Sequence, residues 1–389
     1  ARTIEVRFDL SWDHSWRDDV NHDAAWVFLK FRAPGSNHWQ HAYLALDPLA
    51  HSASDGKIAV GASRVSGTER GVGIFVHAAG MHTGSVSFAR AALTWDYGVS
   101  GYEWPSGGQE IEVTVLAIEM VYVAQGAFKV GSPGTESGRF TDGAWTSGTT
   151  IPLAIESEAA LTIAPQPGCL WGTATSGNNS IGPEGELPAA FPKGYAAFYC
   201  MKYEITQGQY AAFLNLLTEV QAATLYPNQY GNQRYVITGS WPEFSAAEAP
   251  DRACSYITWP LGAAYAQWAG LRPMTELEFE KACRGPVEPF AGEYAWGTTS
   301  IKNLTGHEGE DGSGTETPSP ADANALYGNS TLKGPTRAGI FARPQSARAE
   351  AGASYWGIME LSGNLWERPV SVGFAASRLF EGTHGDGTL

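Results

Sequence analysis

Ile4, Val6, Phe8, Leu10 and Trp12 alternate strictly with Glu5, Arg7, Asp9 and Ser11. Successive side chains of a β-strand point to opposite faces, so a half-buried strand is the conformation that gathers this apolar set on one side. The runs "AAWVFLKFRA", "GVGIFVHAA" and "QEIEVTVLAIE" repeat the signal, with Pro, Gly and Ser turns between them. Residues 1–118 are therefore predicted to be an all-β, sandwich-like domain, since two sheets packed face to face bury such faces economically.

The chain has 389 residues, which favours a second domain, taken here as 119–389. Hydrophobic residues at 43% and charged residues at 17% supply a sizeable core. A net charge of −15 repels phosphate backbones and anionic headgroups, so nucleic acid is excluded as a partner. The sequence holds no apolar run of bilayer length, and membrane insertion is not expected. It opens on Ala rather than on a basic and apolar leader, so the start reads as processed or trimmed and carries no cellular address.

Seven of the nine histidines precede residue 83. His14, Asp18, Asp19, His22 and Asp23 form one cluster, His38 and His41 another. Imidazole and carboxylate suit Zn or Mn. The same stretch, "SWDHSWRDDVNHDAAW", also reads as a polar hairpin loop between aromatic anchors. Cys169, Cys200, Cys254 and Cys283 form no CxxC pair and have small or apolar neighbours; buried free thiols are expected, with one disulfide left open.

From Met120 the character changes. "MVYVAQGAFKVGSPG" is a strand, a turn and a strand. Thr206 and Gln209 form a capping box ahead of an apolar stripe at Tyr210, Phe213, Leu214 and Leu217. A second helix is predicted after Thr258, with Pro260 in its first turn, Leu261, Ala264, Tyr265 and Trp268 inward, and Gly270 as its stop. A third starts at the Thr275–Glu278 capping box and ends at Gly285. Residues 286–356 show no sustained period, and a long irregular stretch in a compact domain is usually functional. Within it, Asn303–Gly314 sets Asn303, Glu308, Glu310 and Asp311 among glycines, a composition that suits a hard cation and equally a solvated acidic loop. P-loop, GxGxxG, GxSxG and HExxH motifs are absent from the sequence.

Five ordered pieces, "MVYVAQGAFKVGS", "YCMKYEITQGQYAAFLNLL", "ITWPLGAAYAQWAGLRPMTELEFEKACRG", "YAWG" and "YWGIMELSGNLWE", resemble the formylglycine-generating enzyme, or sulfatase-modifying factor, family from Met120 onward. The resemblance implies an α+β, C-type-lectin-type fold: a small twisted antiparallel sheet, two main helices and abundant irregular backbone. It implies that Asn364, Trp366 and Glu367 anchor that backbone by hydrogen bonds and aromatic packing. It also implies a structural calcium near Asn303 and Asp311.

Within the family, "GPTRAGIFA", "GASYWGIMELSGNLWERPVSVG" and "EGTHGDG" resemble the lectin-fold variable proteins of diversity-generating retroelements, which carry hypervariable ligand-binding surfaces. That resemblance implies a bacterial or phage origin, with cell surface and cytoplasm not distinguished, and a protein or other macromolecular ligand. Phe374, Arg378 and Phe380 are the candidate contacts, with the main site expected beyond Leu389 and the second domain expected to lack its final segment. The family enzyme's reactive cysteine pair follows its Trp-Glu motif, whereas here no cysteine follows Cys283. A non-enzymatic display protein without copper is accordingly expected, the alternative being a formylglycine-generating oxidase acting on a substrate cysteine. The β-rich first domain does not resemble the His-rich helical domain of the ergothioneine-type iron enzymes.

Overall fold

The structure is a computed structural model and describes residues 2–99, 102–104, 110–143, 150–172, 181–231, 233–328 and 331–389. The first third is β1 (Thr3–Arg17), β2 (Asp23–Arg32), β3 (Trp39–Ala42), β4 (Gly56–Val65), β5 (Thr68–Ala78), β6 (His82–Asp96) and β7 (Glu112–Val123). Short strands follow: β8 (Phe128–Val130), β9 (Phe140–Thr141), β10 (Leu153–Ile155), β11 (Leu161–Ile163), β12 (Trp171–Gly172), β13 (Gly185–Leu187) and β14 (Phe198–Met201). Then come α1 (Gln207–Asn215), α2 (Glu219–Leu225), α3 (Trp259–Trp268) and α4 (Glu276–Arg284), and a last hairpin of β15 (Gly306–Glu308) and β16 (Thr317–Ser319). The chain is mostly β with few helices, consistent with an α+β fold of the formylglycine-generating-enzyme type.

The central sheet runs β14-β7-β2-β5-β4, with β3 also on β2, and β1 pairs antiparallel with β6 as a separate layer. β2 is buried on both faces, and the register explains why. Ala25, Val27, Leu29 and Phe31 face the β1–β6 layer, beside Trp12, Phe88 and Trp95. Ala24, Trp26 and Phe28 face the opposite way, into a core shared with Tyr210 and Phe213 of α1 and Trp268 of α3. The Trp26 indole donates to Ala269 O at 2.8 Å. It lies across Gly61 and Gly73, where an added Cβ would come within 2.4 Å of the ring. The sheet therefore sits between a β layer and a helical layer. It passes through residue 118 without a break, because β7 crosses that position and β14 pairs onto β7.

The stretch read as a polar hairpin loop or a metal cluster is strand on either side of a tight polar turn at 18–21, where Asp18 N donates to Asn21 O at 3.0 Å and the Arg17–His22 bridge closes the loop. β1 continues to Arg17 through a bulge at Trp12/Ser15, with His14 at φ 57°. The bulge turns Ser15 inward, where Ser15 Oγ and Trp12 Nε1 donate to Asp23 at 2.7 and 2.8 Å. Buried Lys202 then bridges Asp23 (3.2 Å) and Glu119 (3.0 Å). His22 meets Tyr199 Oη at 3.1 Å and stacks on Tyr122. These groups satisfy one another and do not converge on a common point.

α1 and α4 carry the predicted capping boxes, Thr206–Gln209 and Thr275–Glu278. α3 starts where expected, but Thr258 makes no side-chain cap bond, and Tyr265 and Trp268 are its buried residues while Leu261 and Ala264 stay partly exposed. α2 was not anticipated, although Thr218 and Gln221 form a capping box of the same kind. All four cysteines are free. Among the described residues no helix is long and apolar enough to cross a membrane.

Candidate functional site

Residues 357–370 are irregular, and their backbone is held by both main-chain and side-chain hydrogen bonds. Gly363 (φ 113°) and Asn364 (φ 59°) adopt left-handed conformations, which let the chain pass close to Leu326 O. Asn364 N donates to Leu326 O at 2.8 Å, and its Oδ1 accepts from Thr336 N at 3.0 Å. Its Nδ2 donates to Glu204 Oε2, while Leu365 N donates to Glu204 Oε1 at 2.9 Å. Further along, Val370 N donates to Met274 O at 2.8 Å and ties the segment to the start of α4. Asn364 is the anchor that the resemblance implies. Glu204, its main partner, lies within the piece "YCMKYEITQGQYAAFLNLL" but was not singled out, because nothing in that piece points to Asn364 160 residues further on.

Trp366 departs from expectation. Its side chain does not pack into the domain; the residue is 86% exposed, with the Arg368 guanidinium 5.9 Å from the ring centroid. The pinned backbone on either side turns the indole outward. Tyr327 is 62% exposed and directly follows Leu326, whose carbonyl receives Asn364. Trp366 and Arg368 thus lie side by side on the surface.

Three carboxyls belong to this segment or bond to it: Glu360, Glu367 and Glu204. Glu360 is 4% exposed; its Oε1 accepts from Gly339 N at 2.8 Å, and its Oε2 is sealed without a partner. Glu367 keeps some exposed surface, but its Oε1 is also sealed and unpartnered. Burial pushes Glu360 up to about 8, against relief from the Gly339 amide and Arg337. Burial likewise pushes Glu367 up to about 7. Glu204 is raised well above the ordinary range by burial and then by Glu360 and Glu367.

The other sequence candidates are scattered. Phe374 is 69% exposed. Arg378, expected on the surface, is only 5% exposed; its guanidinium donates to Val372 O (2.8 Å), Ile181 O (3.0 Å) and Pro183 O (2.8 Å), so it ties the chain together from inside. Phe380 packs against the cluster that holds Phe191. Asn303 Oδ1 accepts from Tyr327 N at 2.6 Å, whereas Asp311 pairs with Arg234 and Arg252. His307, Asp311 and Glu316 bring potential ligand atoms within 4.8 Å of one another, but Arg234 also bridges to Glu316 at 3.0 Å. Guanidinium groups already neutralise these carboxylates, so the donor set as arranged does not fit a calcium ion. Burial pushes the Cys200 thiol up to about 12 and raises Cys283 as well, which leaves both thiols protonated.

A mostly β fold with a few capped helices and a side-chain-pinned Gly-Asn-Leu-Trp-Glu loop defines a protein of the sulfatase-modifying-factor type. Residues 165–372, more than half of the chain, match the sulfatase-modifying factor enzyme 1-like domain, and the chain belongs to that family. It is similar to hercynine oxygenase of Mycobacterium tuberculosis, at 30% identity over 31% of this chain and 22% of the relative. It is also similar to the formylglycine-generating enzyme of Thermomonospora curvata, at 26% identity over 29% of this chain and 48% of the relative. Hercynine oxygenase of Mycolicibacterium thermoresistibile matches at 32% identity over 30% of this chain and 20% of the relative. The chain thus spans less than half the length of each of these relatives. No solved structure matches it significantly. These relatives are named as enzymes and overturn the expectation that the chain is not one: the absence of a cysteine after Cys283 is no ground for excluding catalysis in a family with more than one named activity.

Proposed function

We propose that the chain binds a protein or other macromolecular ligand through the surface formed by Trp366 and Arg368. In this reading a C-type-lectin-type scaffold presents a surface of the hypervariable kind found in retroelement-diversified proteins. The supporting observation is an indole 86% exposed on a backbone pinned by Glu204, Leu326 and Thr336. A large aromatic left in water on a rigid loop presents binding area at little ordering cost, and Trp, Tyr and Arg dominate binding hot spots. The retroelement resemblance, which pointed to Phe374, Arg378 and Phe380 and beyond Leu389 rather than to Trp366, supports a binding role in general, because exposed side chains that contribute little to the core can vary without unfolding it. The test is a ligand screen with the wild-type chain and with Trp366→Ala and Arg368→Ala. Ligands retained equally by all three proteins would remove the proposal.

A second reading is favoured by the relatives: formylglycine generation, as one relative is named, which the family resemblance ties to oxidation of a substrate cysteine. Binding at the Trp366 face and catalysis are compatible. Cys200 and Cys283, buried and protonated, are poor nucleophiles as placed. Oxygen uptake with a cysteine peptide, measured with added copper or iron, tests this reading; uptake that survives Cys200→Ser and Cys283→Ser would show that neither thiol takes part.

A further inference from the structure

We propose that the free edge of β1 is a self-association surface, to which a second copy of this chain adds its own β1 antiparallel, about a two-fold axis at Phe8.

β1 runs for 15 residues and pairs along one side with β6. Among the described residues no strand adds to its other side from Thr3 to Trp12, and the Arg17–His22 bridge closes only its far end. An unpaired edge offers a row of N–H and C=O groups to another chain. Proteins ordinarily blunt such edges with short strands, Pro, Lys, bulges or a cover. The other edges here are blunted in these ways. β14 has 4 residues, and β4 carries exposed Lys57 and a register shift at Gly61/Ala62. Ser63 Oγ of β4 also donates to His384 O at 2.6 Å. The second edge of β6 is met by bridges from Leu44 to Trp95 and from Ser52 to Ala92.

β1 has none of these devices between Thr3 and Trp12. The stretch contains no Pro, Gly or Lys. The first register shift puts its extra residue on β6, where Arg90 lies at φ 55°, and leaves β1 regular. The bulge on β1 itself comes later, at Trp12/Ser15. One side of the edge is a half-buried apolar row of Val6, Phe8 and Leu10. The other carries exposed Glu5, Arg7 and Asp9.

Charge selects the partner and the register. Directly opposed residues of an antiparallel pair share a face, where opposite charges stabilise and like charges destabilise. With the axis at Phe8, Arg7 of each copy stands opposite Asp9 of the other, Val6 opposite Leu10 and Ile4 opposite Trp12. That register uses the whole regular run. An axis at Arg7 sets Arg7 against itself and Glu5 against Asp9. An axis at Val6 opposes Glu5 and Arg7, but its ladder stops at Thr3 opposite Asp9 and forms fewer bonds. Arg7 already pairs with Glu5 on its own strand. Asp9 accepts from Arg90 N at 2.7 Å, and a carboxylate has acceptor capacity for a further donor. Each copy carries a net charge of −15, but that repulsion is screened beyond about 8 Å at physiological ionic strength, whereas opposed Arg7 and Asp9 are in contact. Each copy spends its one free β1 edge, so the assembly closes at two.

The experiment uses the full chain. Sedimentation equilibrium from micromolar to submillimolar protein, at physiological ionic strength, should show a reversible monomer–dimer equilibrium. Arg7→Asp, and separately Asp9→Arg, should each weaken it at least about tenfold, because like charges then oppose each other twice across the ladder. Mixing the two variants should restore a dimer, since each supplies the charges that the other lacks. Trp366→Ala should leave the association unchanged, which keeps the dimer separate from the ligand-binding reading. Should Asp9→Arg fail to fold, Arg7→Asp is set against Arg7→Lys, and only the first should dissociate the dimer. A chain that stays monomeric throughout overturns the proposal. So does a dimer that the charge variants do not weaken, one that their mixture does not restore, or one that Trp366→Ala abolishes.

Discussion

The central sheet and the irregular stretch from 286 to 370 keep their backbones in place by different means. In the sheet, ladder hydrogen bonds satisfy the main chain, and side chains are free to bury area. β2 does so twice, toward Trp95 on one face and toward Phe213 and Trp268 on the other. In the irregular stretch, which holds the β15–β16 hairpin, main-chain bonds are scattered over turns and crossings such as Leu304 N to Ala325 O and Asn364 N to Leu326 O, and side chains bond to many of the remaining backbone groups. Asn324 accepts from Lys302 N at 2.9 Å and donates to Ala349 O at 2.8 Å. Arg348 donates to Cys283 O at 3.2 Å and Ala295 O at 2.7 Å, and Asn364 joins three segments. Buried backbone polar groups must be paired by some partner. Where ladders are absent, particular Asn, Arg and Glu side chains become irreplaceable, and the exposed positions between them are free to serve binding.

Breaking the sheet should produce the largest effect. Trp26 is fully buried between two glycines, so Trp26→Ala leaves a cavity that rigid neighbours cannot fill. We expect a loss of about 3–5 kcal/mol, felt by both layers together. Calorimetry should show a single lowered transition; two separate transitions would mean that the layers do not share one core.

Breaking the irregular stretch should cost less and act locally. Asn364→Ala removes the acceptor of Thr336 N and the donor to Glu204, for about 1–3 kcal/mol. Exchange should rise at amides 336 and 361–368 while amides of β2 stay protected. Equal loss of protection in β2 would contradict the separation drawn here.

Trp366→Ala sharpens the contrast further. An 86% exposed side chain contributes little to folding, so stability should change by no more than about 0.5 kcal/mol. Ligand affinity should fall at least about thirtyfold, as for a hot-spot residue costing about 2 kcal/mol. A collapse of the fold would return Trp366 to the packing role first assigned to it.

Calcium should have the smallest effect. Asp311 is already neutralised by Arg234 and Arg252, so an ion would have to displace two guanidiniums. The melting temperature should be unchanged between EDTA and millimolar calcium. A rise of several degrees would show that the ion prevails, since preferential binding to the folded state stabilises by mass action.

Legibility followed the same division. Alternation placed β1, and the apolar runs placed β2, β5 and β7, although whole-strand burial of β2 was invisible because the covering residues of α1 and α3 lie about two hundred positions away. Capping boxes located α1 and α4 to the residue, and the Thr218–Gln221 box held an unread signal for α2. In the candidate site, Asn364 was legible through its motif. Glu204 and Glu360 lie in quoted motifs, but their partners, Leu365 for Glu204 and Gly339 for Glu360, belong to other pieces, and no pattern records that the pieces meet.

By itself the sequence determined the elements whose signals are local. A strand announces itself over a few alternating residues, and a helix start over three, because their interactions close within those distances. Tertiary structure decided which face each element buries, that Arg378 ties segments from inside and Trp366 stands in water, and that Glu204 is brought to the loop it holds through Asn364 and Leu365. Those outcomes depend on contacts such as Asn21 Nδ2 to Trp356 O, made at 2.7 Å across 335 residues of chain. No local pattern records a bond of that separation, and the burial it produces sets both the exposure and the proton affinity of the groups around it.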